Sequence, residues 1–124
     1  MDVRFEGKRL TLGNKTLELE VLIREVERFD ELVVIRFAYD EYDQDDLNGE
    51  RNVLALDTAG NVVWRIQQAP SVPVVSGKRV LTSYVGIDTE TGNPDRPLEA
   101  HDSSGLTWRV DPETGEVSEP IFTK

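Results

Sequence analysis

The sequence predicts an all-β fold: an antiparallel meander of about 8–10 strands forming a small sandwich or partly open barrel, with at most one short helix. Three observations point there. Apolar residues recur with period two rather than 3.6 over most of the chain, which is the pattern of half-buried strands. Turn-forming residues punctuate those runs at short intervals. Three of the turns repeat one design, in which a strand ends on Asp and Gly follows three or four residues later.

Taken in order, Leu12-Gly13-Asn14 turns the chain between LTL and TLELE. In KTLELEVLI, residues 15–23, Leu17, Leu19, Val21 and Ile23 share one face while Glu18 and Glu20 take the other. Residues 20–32 hold the only helix-favouring composition, and their β-branched content argues against a helix. Phe29-Asp30-Glu31 turns the chain into ELVVIRFAY, residues 31–39, where both alternating faces are largely apolar. Such a strand is covered on both sides and belongs at the centre of the fold.

The repeated turn design occurs at Asp57/Gly60, Asp88/Gly92 and Asp111/Gly115. Asp can accept backbone N–H bonds within a turn, and Gly supplies the positive φ that returns the chain to a strand. These Asp–Gly hairpins ending in Trp resemble single hairpins of β-propeller blades. A whole propeller takes at least about four four-stranded blades, more than this chain can supply. QQAPSVPVVSGK, residues 67–78, reads as an extended crossing between the two halves, and VLTSYVGI after it as an alternating strand. Trp64-Arg65-Ile66 and Trp108-Arg109-Val110 each place the ring and the β-branched residue on one face, so the tryptophans are expected in the core.

One domain, residues 1–124, is expected from the length. With no cysteine, disulfides, thiolate metal sites and cysteine nucleophiles are excluded together. The start, MDVRFEGKRL, has no apolar run of signal-peptide length, and no membrane-spanning run of apolar residues occurs, so the cytoplasm is the expected location.

Charge is distributed unevenly. The net charge is −10, yet outside residues 40–50 and 88–102 thirteen acids face thirteen bases. Residues 40–50 hold six carboxylates and no base, and residues 88–102 hold five carboxylates against Arg96. A neutral scaffold carrying two acidic loops is expected.

Three readings compete for the first loop. It can be a solvated connection and nothing more. It can be a contact surface for a basic protein, with Tyr39, Asp40, Glu41, Tyr42, Asp43, Asp45 and Asp46 as the contact residues, since aromatic rings anchor interfaces while charges speed encounter. Or it can hold calcium or magnesium on Asp43, Asp45, Asp46 and Glu50 in an irregular site. A calcium EF-hand is excluded, because Leu47 and Asn48 occupy the positions that need an oxygen ligand and a glycine.

Other chemistry is sparse. His101, the only histidine, lies in LEAHDSSGL and reads as part of a polar turn. Direct nucleic-acid binding is disfavoured without a basic surface. Arg65 and Arg109, if on adjacent strands, would form a basic spot able to meet the acidic loops of a second copy, giving a homo-oligomer. The function expected from these features is a non-enzymatic protein-binding module, inhibitor- or immunity-like, that presents acidic loops to a basic partner and needs no cofactor. The alternative is a β barrel or sandwich binding a small molecule or divalent cation, with or without hydrolytic activity.

Overall fold

The computed structural model describes residues 2–43, 46–69, 74–75, 78–79, 82–89 and 98–121. Within them the fold is all-β and antiparallel, with no α-helix and no closed barrel. Strands β1 (Val3–Glu6), β2 (Arg9–Leu12) and β3 (Lys15–Glu18) form an N-terminal sheet. Strands β4 (Ile23–Phe29), β5 (Leu32–Phe37), β6 (Val53–Asp57) and β7 (Val62–Arg65) form a central sheet in sequential order. A two-residue ribbon follows, β8 (Val74–Val75) paired with β9 (Lys78–Arg79). Strands β10 (Tyr84–Asp88), β11 (Glu99–Asp102), β12 (Thr107–Val110) and β13 (Val117–Ile121) close the chain as a C-terminal sheet.

The three main sheets stack as three layers, because the central sheet is apolar on both faces. Val33, Ile35, Phe37, Leu54 and Leu56 pack against Leu10 and Leu12 of the N-terminal sheet. Val34, Val53, Ala55 and Trp64 pack against Tyr84, Ala100, Trp108 and Val110 of the C-terminal sheet. The central placement expected for residues 31–39 is realised by β5, which runs between β4 and β6. A continuous apolar run is what such a two-sided strand requires.

Among the described residues thirteen strands occur where about 8–10 are expected, and they form a sandwich of three layers. The strand expected over residues 15–23 breaks after Glu18: Leu19 N donates to Lys8 O (2.8 Å), and Ile23 N donates to Gly7 O (2.8 Å) as β4 begins. Leu17, Leu19, Val21 and Ile23 nevertheless pack on one core cluster. The chain crosses from the N-terminal sheet to the facing central sheet, so its apolar side addresses the same core before and after the break.

Residues 20–32 form β4 and its hairpin rather than a helix. Phe29 pairs with Leu32 across a two-residue turn in which Asp30 adopts φ 51°, a conformation that Asp tolerates better than most residues. In β10 the expected alternation fails at Val85, where a bulge shifts the register. Tyr84 and Ile87 are consequently both in the core, which strict period two forbids and one extra residue permits. Of the crossing 67–78, residues 70–73 and 76–77 lie outside the described residues, as does Gly92 of the second Asp–Gly turn.

The other Asp–Gly turns match their expected chemistry. Asp57 Oδ1 accepts from Ala59 N and Asn61 N (both 2.9 Å), and Asp111 Oδ1 accepts from Glu113 N (2.9 Å). Gly115 has a second reason to be glycine: besides φ 77°, a Cβ there would lie 2.6 Å from Trp64 Cε3. The β12–β13 turn thereby seats on the Trp64 ring, whose Nε1 donates to Pro112 O (2.8 Å).

One polar residue joins two layers. Asn52 is 0% exposed. Its Nδ2 donates to Phe37 O (2.9 Å) and Tyr84 O (2.8 Å), and its Oδ1 accepts from Tyr84 N (2.9 Å). The amide thus stands in for a strand partner, satisfying both backbone groups of Tyr84 on the edge strand β10. Truncating a buried group leaves its partners unsatisfied at roughly 1–3 kcal/mol each. Asn52→Ala is therefore expected to lower unfolding stability by about 3 kcal/mol, measured as a shift in denaturant midpoint at unchanged slope.

Candidate functional site

The connection from β5 to β6 is the acidic stretch. It contains two 3-10 turns, Tyr39–Glu41 and Leu47–Gly49, the second capped by Asp46, whose Oδ1 accepts from Asn48 N (2.9 Å). Asp40, Glu41, Asp43 and Asp46 are exposed along this connection, where no strand partner claims them.

A cleft of about 530 Å³ opens beside this connection. Tyr39, Asp40, Tyr42, Asp43, Asp46, Gly49 and Glu50 of the connection line it together with Ser83 and Ser103 from the C-terminal half of the chain. Among the described residues no lysine or arginine lines it. Tyr39 is 48% exposed, whereas Gly49 and Glu50 are buried. Of the seven expected contact residues, five therefore share one cleft. Glu41 is exposed but not among the lining residues, and Asp45 lies outside the described residues.

Tyr42 does more than face solvent. Its ring packs on the core between the N-terminal and central sheets, and its hydroxyl donates to Glu20 Oε2 (2.8 Å). Burial, then the hydrogen bond to Glu20, push its pKa above the usual phenol range, so it stays protonated. Glu50 also departs from the expected exposed ligand set. It is 4% exposed, and it accepts from Gln68 Nε2 (2.8 Å) and Thr82 N (3.3 Å). Among the described residues no three His, Asp or Glu side chains are grouped to hold a metal ion.

The second acidic segment is not a loop throughout. Asp88 ends β10, and Glu99–Asp102 is strand β11. Residues 90–97, including Glu90, Asp95 and Arg96, lie outside the described residues. His101 sits on β11 rather than in a turn, with Nε2 2.5 Å from Asp88 Oδ2 and Nδ1 2.8 Å from Thr107 Oγ1. A carboxylate, imidazole and hydroxyl in line suggest a nucleophilic relay. Thr107 is only 3% exposed, however, so its hydroxyl is closed to substrate. The line is a polar ladder across three strands.

Asp102 is a buried structural carboxylate, 2% exposed. Oδ1 accepts from Ser104 N (2.9 Å), Ser104 Oγ (2.6 Å) and Leu106 N (3.0 Å), while Oδ2 accepts from Trp108 Nε1 (2.7 Å). This is a fourth Asp–Gly turn, signalled by Asp102 and Gly105 three residues on. It fixes Ser103 at the rim of the cleft, where Ser103 N donates to Ser83 O (2.8 Å).

The expected basic spot does not form. Arg65 lies on β7 of the central sheet and Arg109 on β12 of the C-terminal sheet. Arg65 turns to Glu20, 2.7 Å away, while Arg109 points to solvent. Sequence reasoning missed Ser83, Ser103, Glu20 and Arg65 as parts of this region, because nothing local marks residues that meet only through packing.

Burial tends to raise the Asp102 pKa, but bonds from Ser104, Trp108 and Leu106 to the charged form outweigh it, and the folded value falls below the ordinary one. A depressed carboxylate contributes stability above its unfolded pKa of about 3.9 and loses it as pH falls through the lower folded value. Asp102→Asn, which sets an amide N–H against the Trp108 N–H, is expected to cost roughly 2–3 kcal/mol at pH 7. Its melting temperature should fall less steeply than that of the parent on acidification, checked by thermal unfolding between neutral pH and about pH 2.

Over residues 1–122 the chain matches, and belongs to, the family described as a domain of unknown function, DUF7957. No curated protein and no solved structure matches it. No helix among the described residues is long and apolar enough to cross a membrane.

Proposed function

We propose that this member of the family is a non-enzymatic binding module whose acidic cleft receives a cationic side chain of a basic protein, in the manner of inhibitor or immunity proteins. The observation that carries this reading is the composition of the cleft: Asp40, Asp43, Asp46 and Glu50 with two tyrosines and two serines, and no base among the described residues. Carboxylates raise the local concentration of a cation and steer it. A phenol face at the rim adds cation–π attraction to a guanidinium or ammonium, and serine hydroxyls supply acceptors for its remaining N–H groups. The closed Thr107 hydroxyl on the nearby sheet offers no competing catalytic reading.

A second reading is favoured by one observation. The cleft volume of about 530 Å³ falls within the range of small-molecule sites, which suits a small organic cation in the same place.

Binding of an oligo-arginine peptide, measured by fluorescence anisotropy, tests the proposal. Affinity should fall steeply between about 0.1 M and 1 M salt, because screening shortens from about 10 Å to about 3 Å. Asp43→Asn with Asp46→Asn should weaken binding by about tenfold, or ~1.4 kcal/mol, with melting temperature unchanged because both side chains are exposed and Asn keeps the Oδ1 that caps the second turn. Affinity insensitive to salt and to both substitutions would remove the basic partner. Saturable binding of free arginine, as tight as that of the peptide, would select the small-molecule reading instead.

A further inference from the structure

The geometry points to Arg65 as the positioning residue of the cleft, an inference that rests on the binding reading above. Arg65 side-chain atoms are 15% exposed. Nη1 donates to Glu20 Oε1 (2.7 Å), Nε to Arg51 O (2.7 Å), and Nη2 to both Tyr42 Oη (3.1 Å) and Asn48 O (3.2 Å). The guanidinium carbon lies 5.8 Å from the Tyr42 ring centroid and 6.0 Å from that of Phe37. Tyr42 donates to the other oxygen of Glu20, closing a three-membered circuit of Arg65, Glu20 and Tyr42.

These partners come from different parts of the chain. Glu20 lies in the link between β3 and β4, Tyr42 follows the first 3-10 turn, and Asn48 belongs to the second. Arg51 leads into β6. One planar fork therefore fixes both ends of the acidic connection against the central sheet, a task suited to guanidinium because its N–H groups are rigidly splayed. The charge of Arg65 is met by Glu20, outside the cleft lining. Burial works against its charged form, but the bonds to Glu20 and Tyr42 win, and its pKa rises.

Positioning and simple electrostatics predict opposite signs. Removing a cation close to an acidic cleft should tighten binding of a positive ligand by Coulomb's law alone. Loss of the fork should loosen the wall and weaken it.

The test compares Arg65→Gln, Arg65→Lys, Tyr42→Phe and the parent chain in two measurements. One is affinity for the oligo-arginine peptide. The other is amide hydrogen exchange at Gly49, Glu50 and Arg51, whose N–H groups bond within the second turn. Arg65→Gln should speed exchange at these amides by at least about tenfold, with β5 and β6 amides unchanged, and should weaken peptide binding. Arg65→Lys, which keeps the charge and loses the fork, should behave in the same direction, and Tyr42→Phe more mildly.

Tighter peptide binding by Arg65→Gln, or exchange at Gly49, Glu50 and Arg51 equal to that of the parent in every variant, would overturn the inference. If Arg65→Gln fails to fold, Arg65→Lys and Tyr42→Phe carry the test. A parent chain that ignores the peptide would count against the binding reading alone, since exchange still decides whether Arg65 holds the wall.

Discussion

Strands β5 and β6 are buried on both faces, and this two-sided burial dictates where every other main sheet must go. An apolar surface on each side of one sheet can be removed from water only by a layer above and a layer below. The N-terminal sheet covers Val33, Ile35, Phe37, Leu54 and Leu56, and the C-terminal sheet covers Val34, Val53 and Ala55. The burial is non-directional, so it brings the layers together without fixing how they sit.

Buried and half-buried polar groups supply that direction. Asn52 offers an amide to both backbone groups of Tyr84, and Glu25 Oε1 accepts from Ile87 N (3.2 Å), so the inner edge of β10 is met by side chains of the central sheet. Asp102 ties its turn to the Trp108 indole, and Trp64 reaches Pro112 across the same core. No buried side-chain nitrogen or oxygen among the described residues lacks a partner. Full satisfaction matters because an unpaired polar group in a low-dielectric interior is expensive, whereas a paired one selects a single arrangement.

The acidic cleft follows from this architecture rather than interrupting it. The β5–β6 connection lies outside the strands of the central sheet, and its exposed Asp40, Glu41, Asp43 and Asp46 carry charge without opposing the core. Tyr42 and Arg65 anchor it from beneath, and the Asp102 turn sets Ser103 across from it. A rigid scaffold below a polar connection is the usual arrangement for recognition.

Much of this was legible from residue order. Period two in residues 31–39, the Asp–Gly turns at 57 and 111, and the facing of both tryptophans depend on neighbours within a few positions, and backbone geometry fixes those. The acidity of residues 40–50 is likewise a property of composition. The break after Glu18, the bulge at Val85 and the inward turn of Asp102 depend instead on which layer lies opposite, and alternation carries no information about that. Sequence by itself determined an antiparallel β framework with an anionic connection, because strand periodicity and turn chemistry are local. Only the tertiary structure decided that there are three layers, that five of the expected contact residues share a cleft with two serines, and that Arg65 faces Glu20, because those meetings come from packing between segments far apart in the chain.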